Sequence, residues 1–280
     1  MKVGLVLEGG AMRGMYTAGV LDVFLEQNIK VDGIIGVSAG VLFGVNYCSK
    51  QVGRAIRYNK KYCQDKNYMS LYSLITTGNI VNKQFAYYDV PMKHDVFDID
   101  EYKKSKTVFY ATVTNIETGQ AEYIKLDDVL SQMEVLRATG AMPYVSKIVE
   151  YDGCKYLDGA LADSIPLNKC FDMGYDKVIV VLTKPLNYRK KKPPVWISKL
   201  VYKKYPRLVE AINTRYIRYN ETMDMIEQLE KEGKIFVFRP SRKVKMGRIE
   251  KDPDKLQEMY DLGVSDCHDL VDKLREFLNK

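Results

Sequence analysis

Residues Gly36-Val37-Ser38-Ala39-Gly40 spell G-x-S-x-G. A serine in that pattern sits on a sharp strand-to-helix turn, its Oγ presented as a nucleophile while small neighbours let the turn close. Upstream, Glu8-Gly9-Gly10-Ala11-Met12-Arg13-Gly14 lies between an apolar run and a helical pattern. Its backbone N–H groups therefore point outward at a helix N-terminus, where negative charge is favoured. Such a turn can hold a nucleotide phosphate or the oxyanion of a tetrahedral acyl intermediate.

A nucleophilic serine needs a base, and the chain has only two histidines, His94 and His268. His94 lies among charges in "MKHDVFDID", and His268 sits in a helical pattern, so both read as solvated or structural. The order Ser38, Asp158, His268 imitates an α/β-hydrolase triad, but those enzymes place the serine after several strands and here it follows the second. Two late Asp-Gly pairs differ in context. Asp152-Gly153 has strand-like flanks on both sides and reads as a hairpin turn. Asp158-Gly159 follows a strand and leads into "ALADSIP", where no partner strand explains it. A carboxylate bonded directly to Ser38 can orient the hydroxyl and accept its proton. The phosphate alternative is weaker. Gly9 to Gly14 fit a loose G-x-[GA]-x-x-G, but a dinucleotide site wants an acidic residue ending the second strand, where this chain has Ser38.

The elements that must hold these groups follow from periodicity. Residues 3–7 are a short apolar run of the kind buried on both sheet faces. Met12, Met15, Val20, Leu21, Phe24 and Leu25 recur at helical spacing, 33–38 form a second buried strand, and a second helix starts at 39. This β-α-β-α order makes the two strands parallel and brings their following turns to one carboxyl edge of the sheet. Gly9, Gly10, Ala11 and Ser38 should then be neighbours. Further strands are expected at 107–114, 120–125 and 177–182, a hairpin at 147–157 and a helix at 128–139. The texture changes at "RKKKPPVW", which sets a boundary between a domain at 1–187 and a mainly helical extension at 188–280.

The 280 residues, 46% hydrophobic and 28% charged, exclude a disordered chain. Cys48, Cys63, Cys154, Cys170 and Cys267 are scattered, with no C-x-x-C pair, which argues for packed thiols in a reducing compartment and against a zinc site. Glu8 ends the first apolar run too early for a secretion signal. The uncharged stretch 33–49 falls short of the roughly 20 apolar residues of a spanning helix. A soluble, cytoplasmic chain is expected. Of the net +7, residues 186–219 carry +9, leaving −2 elsewhere. Trp196, Tyr202, Tyr205, Tyr216 and Tyr219 interleave with those cations, which suits an anionic membrane surface. No recognised nucleic-acid motif accompanies them, so no nucleic-acid partner is expected.

Three motifs in register, Gly9-Gly10-Ala11-Met12-Arg13-Gly14, then Gly36-Val37-Ser38-Ala39-Gly40, then Asp158-Gly159-Ala160, resemble the patatin-like phospholipase family over about residues 1–185. "ATGAMP" at 138–143 is also similar to the stretch that the family carries before its aspartate. Glu8, where plant members often have Asp, and Ala160, where many have glycine, are variants seen within it. The tail is similar to that of bacterial patatin-like proteins with a basic extension.

The resemblance implies a three-layer α/β fold with a mostly parallel sheet and a Ser-Asp dyad that works without histidine. Ser38 would be the nucleophile and Asp158 its base. Gly9, Gly10 and Ala11 would supply oxyanion amides, with Arg13 and Gly14 completing that loop and Gly36 and Gly40 the elbow. It implies a hydrolase of phospholipid or other acyl esters that uses no metal or cofactor and is indifferent to calcium. An acyltransferase or thioesterase with the same dyad, or a non-catalytic nucleotide- or lipid-binding module, are the alternatives.

Overall fold

In the computed structural model, which describes residues 1–279, the apolar run Val3–Leu7 forms strand β1 and Gly33–Val37 forms β2, parallel to it. Helix α1 (Met15–Glu26) makes the crossover, and α2 (Ala39–Cys48) leaves β2 directly after Ser38. Strand β3 (Val108–Asn115) continues the parallel order beside β2, and β4 (Ala121–Lys125) runs antiparallel along it. The hairpin β5 (Val149–Tyr151) and β6 (Cys154–Asp158) turns at Asp152 and Gly153, whose φ values of 48° and 73° match a two-residue turn with both centres left-handed. On the other side, β7 (Lys177–Val181) pairs with β1 and β8 (Ile235–Phe238) with β7, both parallel. From neighbour to neighbour the sheet runs β5-β6-β3-β2-β1-β7-β8, with β4 also on β3.

Alternation along the strands divides the core into two layers. Leu5, Leu7 and Ile34 face α1, α2 and the C-terminal helix Pro253–Asn279. Val6, Ile35, Val178 and Val180 face Leu167, Cys170, Tyr219, Met223 and Ile226, on the helices Leu167–Asp172 and Pro206–Lys231. Helices on both faces of a mostly parallel sheet give the three-layer α/β fold. The C-terminal helix crosses α1 with the two backbones in contact. A Cβ on Gly19 would lie 2.3 Å from the Tyr260 carbonyl oxygen, and one on Gly263 2.2 Å from that of Tyr16, so only glycine fits at this crossing.

The structure departs from these expectations or adds to them in three places. The helix expected at 128–139 starts only at Met133. Before it, the Asp128 carboxylate accepts from the amides of Leu130 and Ser131, and the Gln132 side chain accepts from those of Asp127 and Asp128. These local bonds hold the backbone in a turn that competes with the helix. The extension 188–280 shares the sheet with residues 1–187, since β8 is its edge strand and the helix Pro253–Asn279 covers α1. The basic, aromatic segment is only partly a surface. Tyr202 and Tyr219 are buried, Arg189 and Arg207 are in ion pairs, and Arg218 is bonded to the carbonyls of Leu161 and Ala162. Trp196, 67% exposed, and Lys191, Lys192, Lys199, Lys203 and Lys204 remain outward.

Candidate active site

The site forms where β2 and β6 meet end to end. Strand β3 pairs through Val108–Thr112 with β2 and through Val113–Asn115 with β6. Its other edge is taken at Tyr110–Thr114 by β4, so β2 and β6 must share the remaining one. Val37 lies opposite Thr112, and Asp158 lies opposite Val113. The antiparallel β6 therefore delivers its last residue to the point where β2 ends and Ser38 begins. Ser38 Oγ donates to Asp158 Oδ2 at 2.9 Å.

Ser38 has φ 54° and ψ −120°, a conformation that a side chain rarely adopts and that costs on the order of 1–3 kcal/mol. Its surroundings hold it there. The Ser38 amide donates to Thr139 Oγ1 at 2.8 Å, and that hydroxyl donates onward to the Thr112 carbonyl at 2.7 Å. A Cβ on Gly40 would lie 2.6 Å from the Leu7 carbonyl, so this glycine lets the elbow sit against β1, and one on Gly36 would lie 3.0 Å from Gly40 and Val41, so that one lets α2 start close over β2. Asp158 is fixed from two sides, because its Oδ1 accepts from the Ala160 amide and its own amide donates to the Ala141 carbonyl. The "ATGAMP" stretch thus ties both partners, Thr139 to the serine and Ala141 to the aspartate. Burial raises the Asp158 carboxyl above the ordinary carboxylate range, opposed by Arg215, the Ala160 amide and the Ser38 hydroxyl. A carboxylate so placed can take a proton from a hydroxyl in contact with it.

Gly9 packs on the elbow, since a Cβ there would stand 3.1 Å from Ser38 Cβ. Among the described residues none of the amides of Gly9, Gly10 and Ala11 donates in a turn or loop bond. All three residues line a polar cavity together with Arg13, Ser38 and Asp158. Gly14 does not line it; a Cβ there would press on Ala39 and Phe43, so this glycine seats the first turn against α2. Arg13 reaches away from the loop to the Met246 carbonyl. Glu8 is buried beneath, accepting from the Thr183 amide, the Thr183 hydroxyl and Tyr219. A second, apolar cavity shares Ala11, Ser38 and Met142 with the polar one and continues past Leu42, Val81, Tyr87 and Leu136.

Neither histidine lines either cavity. The His94 ring rests near Tyr62 and Phe85, and His268 is exposed on the C-terminal helix. Among the described residues no group of three or more His, Cys, Asp or Glu side chains converges as a metal site would. No helix among them is long and apolar enough to cross a membrane. Sequence reasoning missed Thr139 and the wall of the polar cavity formed by Lys184, Tyr188, Lys190, Arg215 and Arg248. Thr139 stood inside a quoted motif. The wall residues carried no local signal, because the fold gathers them from distant segments.

The patatin-like phospholipase family model matches residues 5–170, and a second, Domain of unknown function (DUF6363), matches 205–279. The Uncharacterized protein YjjU of Escherichia coli (strain K12) is 24% identical over 276 residues, 94% of this chain and 75% of that protein. Lysophospholipase NTE1 of the yeast Scheffersomyces stipitis is 22% identical over 85% of this chain, which spans only 16% of it. Among solved structures, VipD from Legionella pneumophila overlays with a TM-score of 0.46 at 13% identity, covering 97% of this chain and 67% of that one. A family model that covers more than half of the sequence decides the matter: the chain belongs to the patatin-like phospholipases.

Proposed function

We propose that the protein is a serine hydrolase of lipid acyl esters, working through Ser38 and Asp158. The observation that carries this reading is the 2.9 Å hydrogen bond from Ser38 Oγ to Asp158 Oδ2 at the junction of a polar and an apolar cavity. Ser38 Oγ attacks the ester carbonyl and its proton passes to Asp158. The amides of Gly9, Gly10 and Ala11 receive the oxyanion, and removing one such donor typically costs about 2.7–4 kcal/mol. Asp158 returns the proton to the departing alcohol oxygen, leaving an acyl-serine. Water then attacks that ester, giving its proton to Asp158, and the fatty acid leaves as the serine regains its hydrogen. Family membership and the lysophospholipase relative support a lipid ester as substrate.

In this reading residues 1–187 carry the dyad and 188–280 complete the walls of its cavity. The outward Lys191, Lys192, Lys199, Lys203 and Lys204 around Trp196 suit peripheral contact with an anionic membrane on the cytoplasmic side, where five free thiols persist. Binding to anionic vesicles that weakens with salt and with charge reversal at Lys191 and Lys192 supports that contact. Binding indifferent to salt counts against it.

The test of the chemistry is turnover of p-nitrophenyl acyl esters and labelling by a fluorophosphonate. Ser38→Ala should abolish both. Asp158→Asn should lower kcat/KM by about 10²–10⁴, the contribution of a positioned base, and His268→Ala should leave it unchanged. Full activity in Asp158→Asn would end the two-residue mechanism.

A further inference from the structure

Five cationic side chains line the polar cavity at Ser38: Arg13, Lys184, Lys190, Arg215 and Arg248. The two carboxylates in the same wall, Glu8 bonded to Thr183 and Tyr219 and Asp158 to Ser38 and Ala160, offset two of these charges and leave three in excess. Among the described residues none of the five cations is in an ion pair. Arg13 Nε is buried with no hydrogen-bond partner among them. The Lys190 ammonium lies 4.2 Å from the centre of the Tyr219 ring.

Gathering like charges in a partly dry cavity is unfavourable unless an anion joins them. The strain shows in the ammonium groups. Lys190 is pulled down to about 7 by burial and then by Arg215, and Lys184 to about 8 by burial and then by Arg13. The cluster is no accident of a basic run. Arg13 follows β1, Lys184 follows β7, Lys190 lies in the linker, Arg215 on the helix Pro206–Lys231, and Arg248 before the C-terminal helix. The apolar cavity opens from the same serine on its other side. A ligand reacting at Ser38 thus meets hydrocarbon in one direction and an excess of positive charge in the other.

We propose that the cationic cavity holds the phosphate of an anionic glycerophospholipid. The preferred substrate is then an acyl ester whose phosphate lies a few bonds from the reacting carbonyl, with the acyl chain in the apolar cavity. This inference rests on the hydrolase reading above. Guanidinium and ammonium groups are the usual partners of phosphate, and two of the three cations beyond Lys184, Arg215 and Arg248, belong to the region of unknown function. In an acyl-coenzyme A the phosphates lie a whole pantetheine arm from the thioester, too far for a cavity that shares its wall with Ser38.

The deciding comparison is between octanoyl lysophosphatidate, 1-octanoylglycerol and octanoyl-coenzyme A. Lysophosphatidate should exceed 1-octanoylglycerol in kcat/KM by about tenfold or more, mainly through KM, and that ratio should fall about tenfold in Lys190→Met or Arg248→Gln. Arg248→Lys should recover part of it. Arg248 is exposed, so its replacement leaves the fold intact. A ratio near unity, a ratio unmoved by both variants, or a preference for octanoyl-coenzyme A overturns the proposal. A second measurement needs no turnover: calorimetric binding to Ser38→Ala of octyl phosphate against 1-octylglycerol. Binding of the phosphate about tenfold tighter supports the cavity's role, and equal binding overturns it. Turnover persisting in Ser38→Ala would sink the hydrolase reading instead, with the binding comparison still deciding the headgroup cavity.

Discussion

At the scale of single residues, Ser38 is held by Thr139 as closely as it is paired with Asp158. Thr139 gives its oxygen to the Ser38 amide and its proton to the Thr112 carbonyl, so Thr139→Val leaves two buried backbone groups without partners. Each such group costs about 1–3 kcal/mol. The variant should melt earlier and turn over more slowly, while Thr139→Ser, which keeps the hydroxyl, should retain most of both. Protonation of the dyad gives a second expectation. Burial raises the Asp158 carboxyl, so in the proposed mechanism the base is lost on acidification at a higher pH than a free aspartate would be. The acid limb of kcat/KM should lie there and disappear in Asp158→Asn. Lys190, pulled down to about 7 by burial, is charged below that pH and neutral above it. For a phosphate-bearing ester kcat/KM should therefore decline as pH rises through neutrality, and for a phosphate-free ester this decline should be absent.

At the scale of elements, the decisive arrangement is two strands sharing one edge of a third. Gly159 makes the join possible, because a Cβ there would stand 2.1 Å from the Thr112 carbonyl oxygen. Both partners are backbone, so Gly159→Ala cannot be absorbed by a rotamer change. It should cost at least the 1–3 kcal/mol typical of overpacking and separate Asp158 from Ser38, seen as lower stability together with lost labelling. The sequence made much of the remaining geometry legible. Strands β1 and β2 followed from short apolar runs, and their parallel order put the glycine-rich turn beside Ser38. Asp158 stands out in the sequence only because no hairpin explains Asp158-Gly159 and because three motifs stand in family order. The β3–β6 pairing joins residues more than forty positions apart and leaves no periodic trace. The misjudged start of the helix at Met133 has another origin, since Asp128 and Gln132 spend their side chains on a turn that composition alone reads as helix.

At the scale of the whole molecule, residues on both sides of the change in composition near 187 share one sheet and one core. Removing residues 253–279 strips the α1 side of Leu256, Met259, Leu262, Cys267, Val271, Leu274 and Phe277, all buried. At roughly 1.5–3 kcal/mol for each large apolar side chain, the loss is as large as the 5–15 kcal/mol that holds a typical domain together. The truncated chain should be insoluble or protease-sensitive, and not simply less selective; a folded, active 1–252 fragment would refute this. The long-range gathering of Arg13, Lys190, Arg215 and Arg248 was invisible for the same reason, as charges far apart in sequence have no spacing to read.

The interlock of Gly19 with Gly263 has a consequence for the order of events during synthesis. A helix made among the first keeps one face uncovered until one made some 240 positions later arrives to clasp it. A nascent chain still lacking that clasp keeps the apolar face of α1 open to water, so the first crossover is sealed only when synthesis is nearly finished.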